Sequence, residues 1–239
     1  MKRLFLTKNI VVDVPENKKE NKSPTFSVNS EFEEMFKYYQ DNGYVIIKDI
    51  LKGKEANTLV KGWEREVKKY KGYLIRQSSS IPEKNIFNEK NWVMNSLQHI
   101  QNLPKKEFPE LTSSFLNLIC ENKKLADLIR FFIKGKPRLV QSMFFEGNTK
   151  TAAHYDSFYL DDEIIGRMAA CWIALEDIDW NAGRFFICPK SHLETRFQNS
   201  QHNVQEDNFI ESIYQLIKNK NYEVRAPFLK KGEILIWNS

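Results

Sequence analysis

The sequence changes character at residues 135–137, Gly-Lys-Pro, and this change constrains the fold more than any other feature. Before it, apolar residues recur at helical spacing, whereas later segments are strand-length and rich in β-branched and aromatic residues. The helical segments are EFEEMFKYYQDNG, KGKEANTLVKGWEREVKKYKG, ELTSSFLNLICEN, KKLADLIRFFI and, among the later strands, DNFIESIYQLIKN. The strand-like segments are YVIIKDIL, RLVQSMFFEG, GRMAACWIALEDI, GRFFICP, NYEVRAPFL and GEILIWN. Helices followed by strands predict an α+β domain with helices packed outside a sheet or barrel.

The first 30 residues are predicted to precede this domain. FLTKNIVVDV predicts one short strand over residues 5–14, and the charged, proline-bearing residues 15–30 predict a linker. Ser30 and Glu33 have the spacing of a capping box, and Gly43 marks the end of the helix that follows. We therefore predict an N-terminal strand and linker over 1–30 and a single domain over 31–239.

Composition limits the possible partners and the compartment. Hydrophobic residues make up 41% of the chain, which is enough for a packed core. The net charge of +5 comes from dispersed lysines, so we predict a solvated surface and no nucleic-acid partner. No apolar run approaches the roughly 18 residues of a membrane span, and the N-terminus lacks the apolar region of a secretory signal. The three cysteines, Cys120, Cys171 and Cys188, have no CxxC spacing, and the last two lie in apolar, strand-like surroundings typical of buried thiols. A cytoplasmic location is predicted.

One dipeptide spacing suggests metal chemistry. His154 and Asp156 are two residues apart on an extended segment, where alternate side chains project to the same side. Two histidines and one carboxylate form the facial triad of non-haem Fe(II) oxygenases. On the dipeptide alone, a histidine held by local hydrogen bonds in a turn is the favoured interpretation.

The context of the pair adds a family resemblance. In order, the chain contains VQSMFF, HYD, ACWIALEDID, NAGRFFICPKSH and FLKKGEILIW, and near its start FKYYQDNGYVIIKDIL. From about residue 32 to the end this order resembles the phytanoyl-CoA dioxygenase family of Fe(II)- and 2-oxoglutarate-dependent oxygenases. The resemblance implies a double-stranded β-helix, a cupin-like jelly roll with packed N-terminal helices, and it implies Fe(II), 2-oxoglutarate and O₂ as cofactors.

The resemblance also assigns residues to roles. His154 and Asp156 match the first two iron ligands. Trp172 and Met143 match positions lining the 2-oxoglutarate pocket, although core packing explains them equally well. Tyr155 either points toward the cosubstrate or shields the site. Gln141 is a weaker pocket candidate, on the same side of its strand as Met143.

Three other histidines are not predicted as iron ligands. His192 matches the histidine of the family's Pro-Gly-Ser-His turn, which is structural. Lys190 replaces the glycine of that turn, so the turn geometry expected from a positive φ is in doubt. His99 and His202 lie in polar surroundings and are predicted at the surface.

In the family, a second metal histidine and an arginine for the distal carboxylate of 2-oxoglutarate follow the strand that matches GEILIWNS. Neither precedes Ser239 in this sequence. Three explanations remain open: the natural chain continues and supplies both groups, the chain is a degenerate relative, or another group completes the site. We expect the C-terminal end of the domain to be missing, and we expect the 239 residues alone to bind metal weakly and not to turn over.

The predicted activity is hydroxylation of a small organic molecule, with decarboxylation of 2-oxoglutarate to succinate. Halogenation is disfavoured because related halogenases have a small residue where Asp156 stands. The alternative is a catalytically inactive relative that binds a small ligand. The segments 73–105 and 157–166 are expected to close over the substrate. Within the second, the acidic cluster Asp161, Asp162 and Glu163 either meets a cationic substrate or belongs to a solvated loop. The sequence predicts neither the substrate nor the oligomeric state.

Overall fold

The computed structural model describes residues 2–5, 11–14, 22–29, 31–148, 151–164, 166–179, 182–194 and 206–239. The chain divides into two compact units. The first comprises Met1–Ile50, Phe131–Gly135 and Ala152–Ser239, and the second comprises Leu51–Arg130 and Lys136–Thr151. Within the described ranges, no helix has both the length and the apolar character to cross a membrane.

A four-stranded sheet forms the centre of the first unit. Its strands are β3 (Thr25–Ser27), β4 (Tyr44–Lys48), β9 (Ala169–Ile173) and β10 (Ile234–Asn238), in the order β3-β4-β10-β9. β10 is antiparallel to both of its neighbours, and β3 is parallel to β4. The β-branched runs of β4 and β10 are buried, as expected for inner strands.

Two helices belong wholly to the first unit. Helix α1 (Phe32–Asn42) ends as predicted at Gly43, which adopts φ 78° and donates its N–H to the carbonyl of Tyr39. Its N-cap is Glu31, and the predicted cap Ser30 lies outside the described residues. Helix α5 (Glu206–Asn219) buries the four residues predicted to face inward, namely Phe209, Ile213, Leu216 and Ile217.

The second unit contains most of the remaining helices. Helix α2 (Gly53–Gly62) continues as a π-helical turn, Trp63–Val67, and α3 (Pro109–Phe115) continues as another, Leu116–Cys120. Helix α4 (Lys123–Ile133) begins after Asn122, whose side-chain oxygen accepts the N–H of Leu125, so the predicted break is confirmed. The short strands of the second unit are β5 (Leu74–Ile75), β6 (Pro82–Glu83), β7 (Leu97–Gln98) and β8 (Met143–Phe144), paired β5-β6 and β7-β8.

Several strand predictions need correction. Within the predicted strand over residues 5–14, the described residues belong to two strands, β1 (Lys2–Phe5) and β2 (Val11–Val14), and residues 6–10 lie outside the described residues. The two strands pair antiparallel, which gives their backbone groups partners that a lone strand lacks. GRFFICP and NYEVRAPFL, both within the described residues, form no named strands, and their β-pairing is a single bridge between Ile187 and Arg225. Pro189 and Pro227 follow that bridge closely and have no N–H with which to extend the ladder.

Two further predictions concern the thiols and the N-terminal boundary. Cys171, predicted to be buried, is exposed, and Cys188 is half-buried. The predicted boundary between residues 30 and 31 stays a prediction, and β3 within the predicted linker pairs with β4.

Candidate iron site

His154 and Asp156 lie on a short segment that packs against α5. Tyr155 between them is extended, with φ −99° and ψ 133°, and a 3₁₀ turn, Asp156–Phe158, follows. Ala153 donates its N–H to the hydroxyl of Tyr214, and the ring of Phe158 stacks on Phe209 at 3.8 Å. Helix α5 therefore fixes the backbone that carries the two candidate ligands.

The structure brings the two candidate ligands together. Nε2 of His154 lies 3.1 Å from Oδ1 of Asp156, and Nδ1 lies 2.8 Å from the carbonyl oxygen of Ala152. Both side chains remain accessible, with exposed fractions of 29% and 26%. A carbonyl only accepts, so Nδ1 carries the hydrogen, and Nε2 faces the carboxylate.

This arrangement fits a divalent iron ion. A metal-bound histidine normally donates its other ring N–H to a carbonyl or carboxylate, as His154 does to Ala152. When Nε2 is unprotonated, its lone pair and the carboxylate of Asp156 both face the same space, which favours a cation there. Imidazole and carboxylate are two of the three donors of the facial triad. Among the residues that the structure describes, no group of three or more His, Cys, Asp or Glu side chains forms a metal cluster.

A third residue at the site, Trp237, was not identified from the sequence. Its indole Nε1–H donates to Oδ2 of Asp156 at 2.8 Å. Trp237 lies in β10, and its ring packs on Phe185 with centroids 4.5 Å apart. Strand alternation places it on the same face as Leu235, the residue paired with Trp172 of β9. Alternation alone does not reveal the contact with Asp156, which lies 81 positions earlier.

Tyr155 contacts the protein rather than an open site. Its hydroxyl donates to the carbonyl of Ser191 at 2.9 Å, and its ring packs against the apolar cluster of α5. Burial raises the pKa of its phenol above the ordinary value. Of the two alternatives for Tyr155, these contacts favour shielding, and a role in cosubstrate binding stays a prediction.

The other predicted pocket residues fall in different places. Trp172 is half-buried, with its ring 5.9 Å from that of Phe185. Met143 is half-buried in β8 opposite Gln98, and Gln141 precedes that strand; both belong to the second compact unit. Their assignments to 2-oxoglutarate binding stay predictions.

His192 has the contacts of a structural histidine. Its Nε2 lies 3.0 Å from the carbonyl oxygen of Gln40, which must accept the ring N–H. Its Nδ1 is buried, with no hydrogen-bond partner in the part of the chain that the structure describes. Burial lowers its pKa, and the hydrogen bond to Gln40 opposes this effect. Lys190 adopts the left-handed conformation, with φ 70°, so the turn keeps its positive φ without glycine.

The remaining histidines do not join the site in the described structure. His99 is half-buried in the second unit, contrary to its predicted surface position, with Nδ1 3.4 Å from Nε2 of Gln101. The segment around His99 is held by Ser142, whose carbonyl and hydroxyl accept backbone N–H groups there. His202 lies outside the described residues.

Comparisons with known proteins concern the whole chain. The profile of the phytanoyl-CoA dioxygenase family, PhyH, matches residues 39–239. The non-haem alpha-ketoglutarate-dependent carbocyclase SnoK from nogalamycin biosynthesis is 17% identical, with a TM-score of 0.62, over 90% of this chain and 78% of SnoK. EctD from S. alaskensis with bound Fe is 15% identical, with a TM-score of 0.55, over 94% of this chain and 74% of EctD. AviO1 from Streptomyces viridochromogenes Tue57 is 14% identical, with a TM-score of 0.51, over 86% of this chain and 83% of AviO1.

At these identities the solved structures show a shared fold, and the match to the family profile shows family membership. Among curated protein sequences, none matches the chain. The family prediction made from the motif order is thus confirmed. The chain belongs to the phytanoyl-CoA dioxygenase family, whose members are non-haem Fe(II)- and 2-oxoglutarate-dependent oxygenases.

Proposed function

We propose that this chain hydroxylates a small organic molecule, with His154 and Asp156 as two protein ligands of Fe(II). One observation carries the proposal: Nε2 of His154 and Oδ1 of Asp156 lie 3.1 Å apart while the carbonyl of Ala152 holds Nδ1. The donor types and the orientation of the imidazole are those of a metal-bound histidine beside a carboxylate. Fe(II), 2-oxoglutarate and O₂ are the proposed cofactors.

The protein's own residues have defined tasks in this proposal. Ala152 fixes the tautomer and the ring orientation of His154, and Asp156 supplies a negative charge that offsets the charge of the metal. Helix α5 holds their backbone through Tyr214 and Phe209. When bound, Fe(II) with 2-oxoglutarate and O₂ would supply the oxidising chemistry, in which one oxygen atom of O₂ enters succinate as CO₂ is released and the other enters the hydroxylated product.

Asp156 supports hydroxylation over halogenation. Its carboxylate lies where a halogenase of this class has a small residue and a halide. The neighbours show that the fold serves more than one reaction, since SnoK is described as a carbocyclase and SnoN as an epimerase. Hydroxylation is therefore the part of the proposal that product analysis must test.

We propose a small-molecule substrate that need not carry a positive charge. In the loop after the site, Asp161 accepts the N–H of Asp162, and Asp162 accepts the N–H of Ile164. These local bonds, together with the exposure of Asp162 and Glu163, support the solvated-loop alternative. Burial raises the pKa of the Asp161 carboxyl above its ordinary value.

We also propose the double-stranded β-helix as the complete architecture and the cytoplasm as the location. The fold shared with SnoK and EctD and the inner position of β10 support the architecture. Three free thiols, at Cys120, Cys171 and Cys188, support a reducing compartment.

The test is an anaerobic titration of the full-length polypeptide with Fe(II) and 2-oxoglutarate, followed by addition of O₂. The expected result is a visible metal-to-ligand charge-transfer band, then succinate, and loss of both in His154→Ala. No band with both components present would overturn the proposal. Binding of a small ligand without iron, with an affinity that His154→Ala leaves unchanged, would instead support the inactive ligand-binding relative.

A further inference from the structure

We propose that Trp237 is a positioning residue that restricts Asp156 to binding the metal through one oxygen. The inference rests on the proposed function, since it takes Asp156 as an iron ligand. The two oxygens of this carboxylate have different partners: Oδ2 accepts the indole N–H of Trp237 at 2.8 Å, and Oδ1 lies 3.1 Å from Nε2 of His154.

The hydrogen bond is directional. Indole Nε1 is a donor only, so it can bind the carboxylate and cannot bind a metal. A hydrogen bond to an ionised acceptor is stronger than one between neutral groups. The bond therefore holds Oδ2 toward Trp237 and turns Oδ1 toward His154, an orientation that favours metal binding through Oδ1 alone.

Trp237 is itself held firmly. It lies on the inner strand β10, where it is paired with Tyr44 of β4 on one side and with Ala170 of β9 on the other. Its ring packs on Phe185 at 4.5 Å between centroids. If the carboxylate turned away, a half-buried N–H would lose its partner, which opposes that rotation.

The consequence concerns the number of positions at the metal. A carboxylate that binds through both oxygens occupies one position more than a carboxylate that binds through one. The cosubstrate and O₂ both need open positions at a facial triad. By holding Oδ2 through its indole N–H, Trp237 keeps one of these positions at the metal available.

The test compares Trp237→Phe with the wild type in the full-length protein. Phenylalanine keeps an aromatic ring against Phe185 and removes the donor. The control is Phe32→Leu, which replaces an exposed aromatic residue of α1 that has no predicted role at the site. Affinity for Mn(II) is measured by EPR, and affinity for nitric oxide, an O₂ surrogate, is measured on the Fe(II)–2-oxoglutarate form. We expect Trp237→Phe to bind Mn(II) about 10–100-fold more weakly and to bind nitric oxide less tightly, and Phe32→Leu to match the wild type.

The outcomes separate this inference from the proposed function. If the wild type binds Mn(II) and loses it in His154→Ala, while Trp237→Phe matches the wild type in both affinities, the positioning role is wrong and the iron site stands. If the wild type binds no metal, or His154→Ala binds as well as the wild type, both proposals fail.

A second measurement uses the wild type alone, so it does not depend on whether a Trp237 variant folds. In the wild type, the indole ¹⁵N–¹H resonance of Trp237 is expected at the low field of a carboxylate hydrogen bond, and it is expected to stay there when Zn(II) is added. Movement of this resonance to the position of a solvated indole on metal binding would overturn the inference.

Discussion

Gly43 and His192 are in direct contact: a Cβ added at position 43 would lie 2.4 Å from Nδ1 of His192 and 2.6 Å from its Cγ. Gly43 ends α1, and the turn that carries His192 is tied to the same helix end, since Lys190 donates its N–H to the carbonyl of Asn42. The glycine thus serves both a left-handed helix end and a close approach of two segments far apart in sequence.

Gly43→Ala should destabilise the protein by about 1–3 kcal/mol or more, because a side chain at φ 78° is strained and its Cβ overlaps the imidazole. Chemical denaturation measures the effect. The matched control is Gly53→Ala, at the start of α2, where a Cβ meets nothing within 4 Å. That control should change the free energy of unfolding by no more than about 1 kcal/mol. Equal losses in the two variants would contradict the contact.

His192 should make stability depend on pH. Burial lowers its pKa in the folded protein, so as pH falls the unfolded chain takes up the proton first. Above the ordinary histidine pKa of about 6.5, which applies to the unfolded chain, His192 does not make stability depend on pH. Stability is lost as pH falls below that value. Comparison of wild type with His192→Gln by denaturation at several pH values between 8 and 5 isolates this effect. The wild type should lose more stability than the variant over this range, and parallel curves would show that the histidine does not titrate differently on unfolding.

His154→Ala and Asp156→Ala should abolish tight metal binding. His154→Ala should change the free energy of unfolding little, and Asp156→Ala should lower it by about 1–3 kcal/mol because the indole N–H of Trp237 loses its acceptor. Both side chains are partly exposed, so their removal leaves no large cavity. Metal affinity and denaturation are measured on the same samples. Asp41→Ala is the control, because that carboxylate is exposed and pairs only with Lys37 in the described structure. It should leave metal affinity at the wild-type value, and a loss as large as in Asp156→Ala would point to bulk charge instead of ligation.

Phe209→Ala should cost about 3–5 kcal/mol, because this residue of α5 is 2% exposed and stacks on Phe158 next to the candidate ligands. Phe186→Ala is the control: Phe186 is 43% exposed, and its loss should cost about 0.5 kcal/mol or less. Thermal or chemical unfolding measures the loss of stability in each of the two variants. A small effect at Phe209 would mean that α5 does not hold the site segment.

Tyr155→Phe should lower stability by about 0.5–1.5 kcal/mol through loss of the hydrogen bond to Ser191 and leave 2-oxoglutarate affinity unchanged. The carbonyl of Ser191 keeps a second partner, the N–H of Glu194, so the loss stays modest. Weaker cosubstrate binding at unchanged stability would give Tyr155 the binding role predicted from its place in the motif.

Local chemistry explains which features the sequence predicts well. The end of α1 at Gly43, the break at Asn122 and the inward face of α5 each depend on residues within one or two turns of chain. The approach of His154 to Asp156 is also local, since two-residue spacing on extended backbone suffices.

Features that depend on distant partners were missed. The bond between Trp237 and Asp156 depends on where β10 places its side chains relative to a turn elsewhere in the chain. The pairing of β1 and β2 depends on which segment a short strand finds as its partner.

The group that orients His154 is a main-chain carbonyl, that of Ala152. Every amino acid supplies the same carbonyl, so replacing the side chain at position 152 leaves this contact chemically intact. A comparison of residue identities therefore does not detect this contact, which orients the imidazole for a metal. It is encoded in the path of the backbone, and a substitution that bends that path would disable the site without touching either ligand.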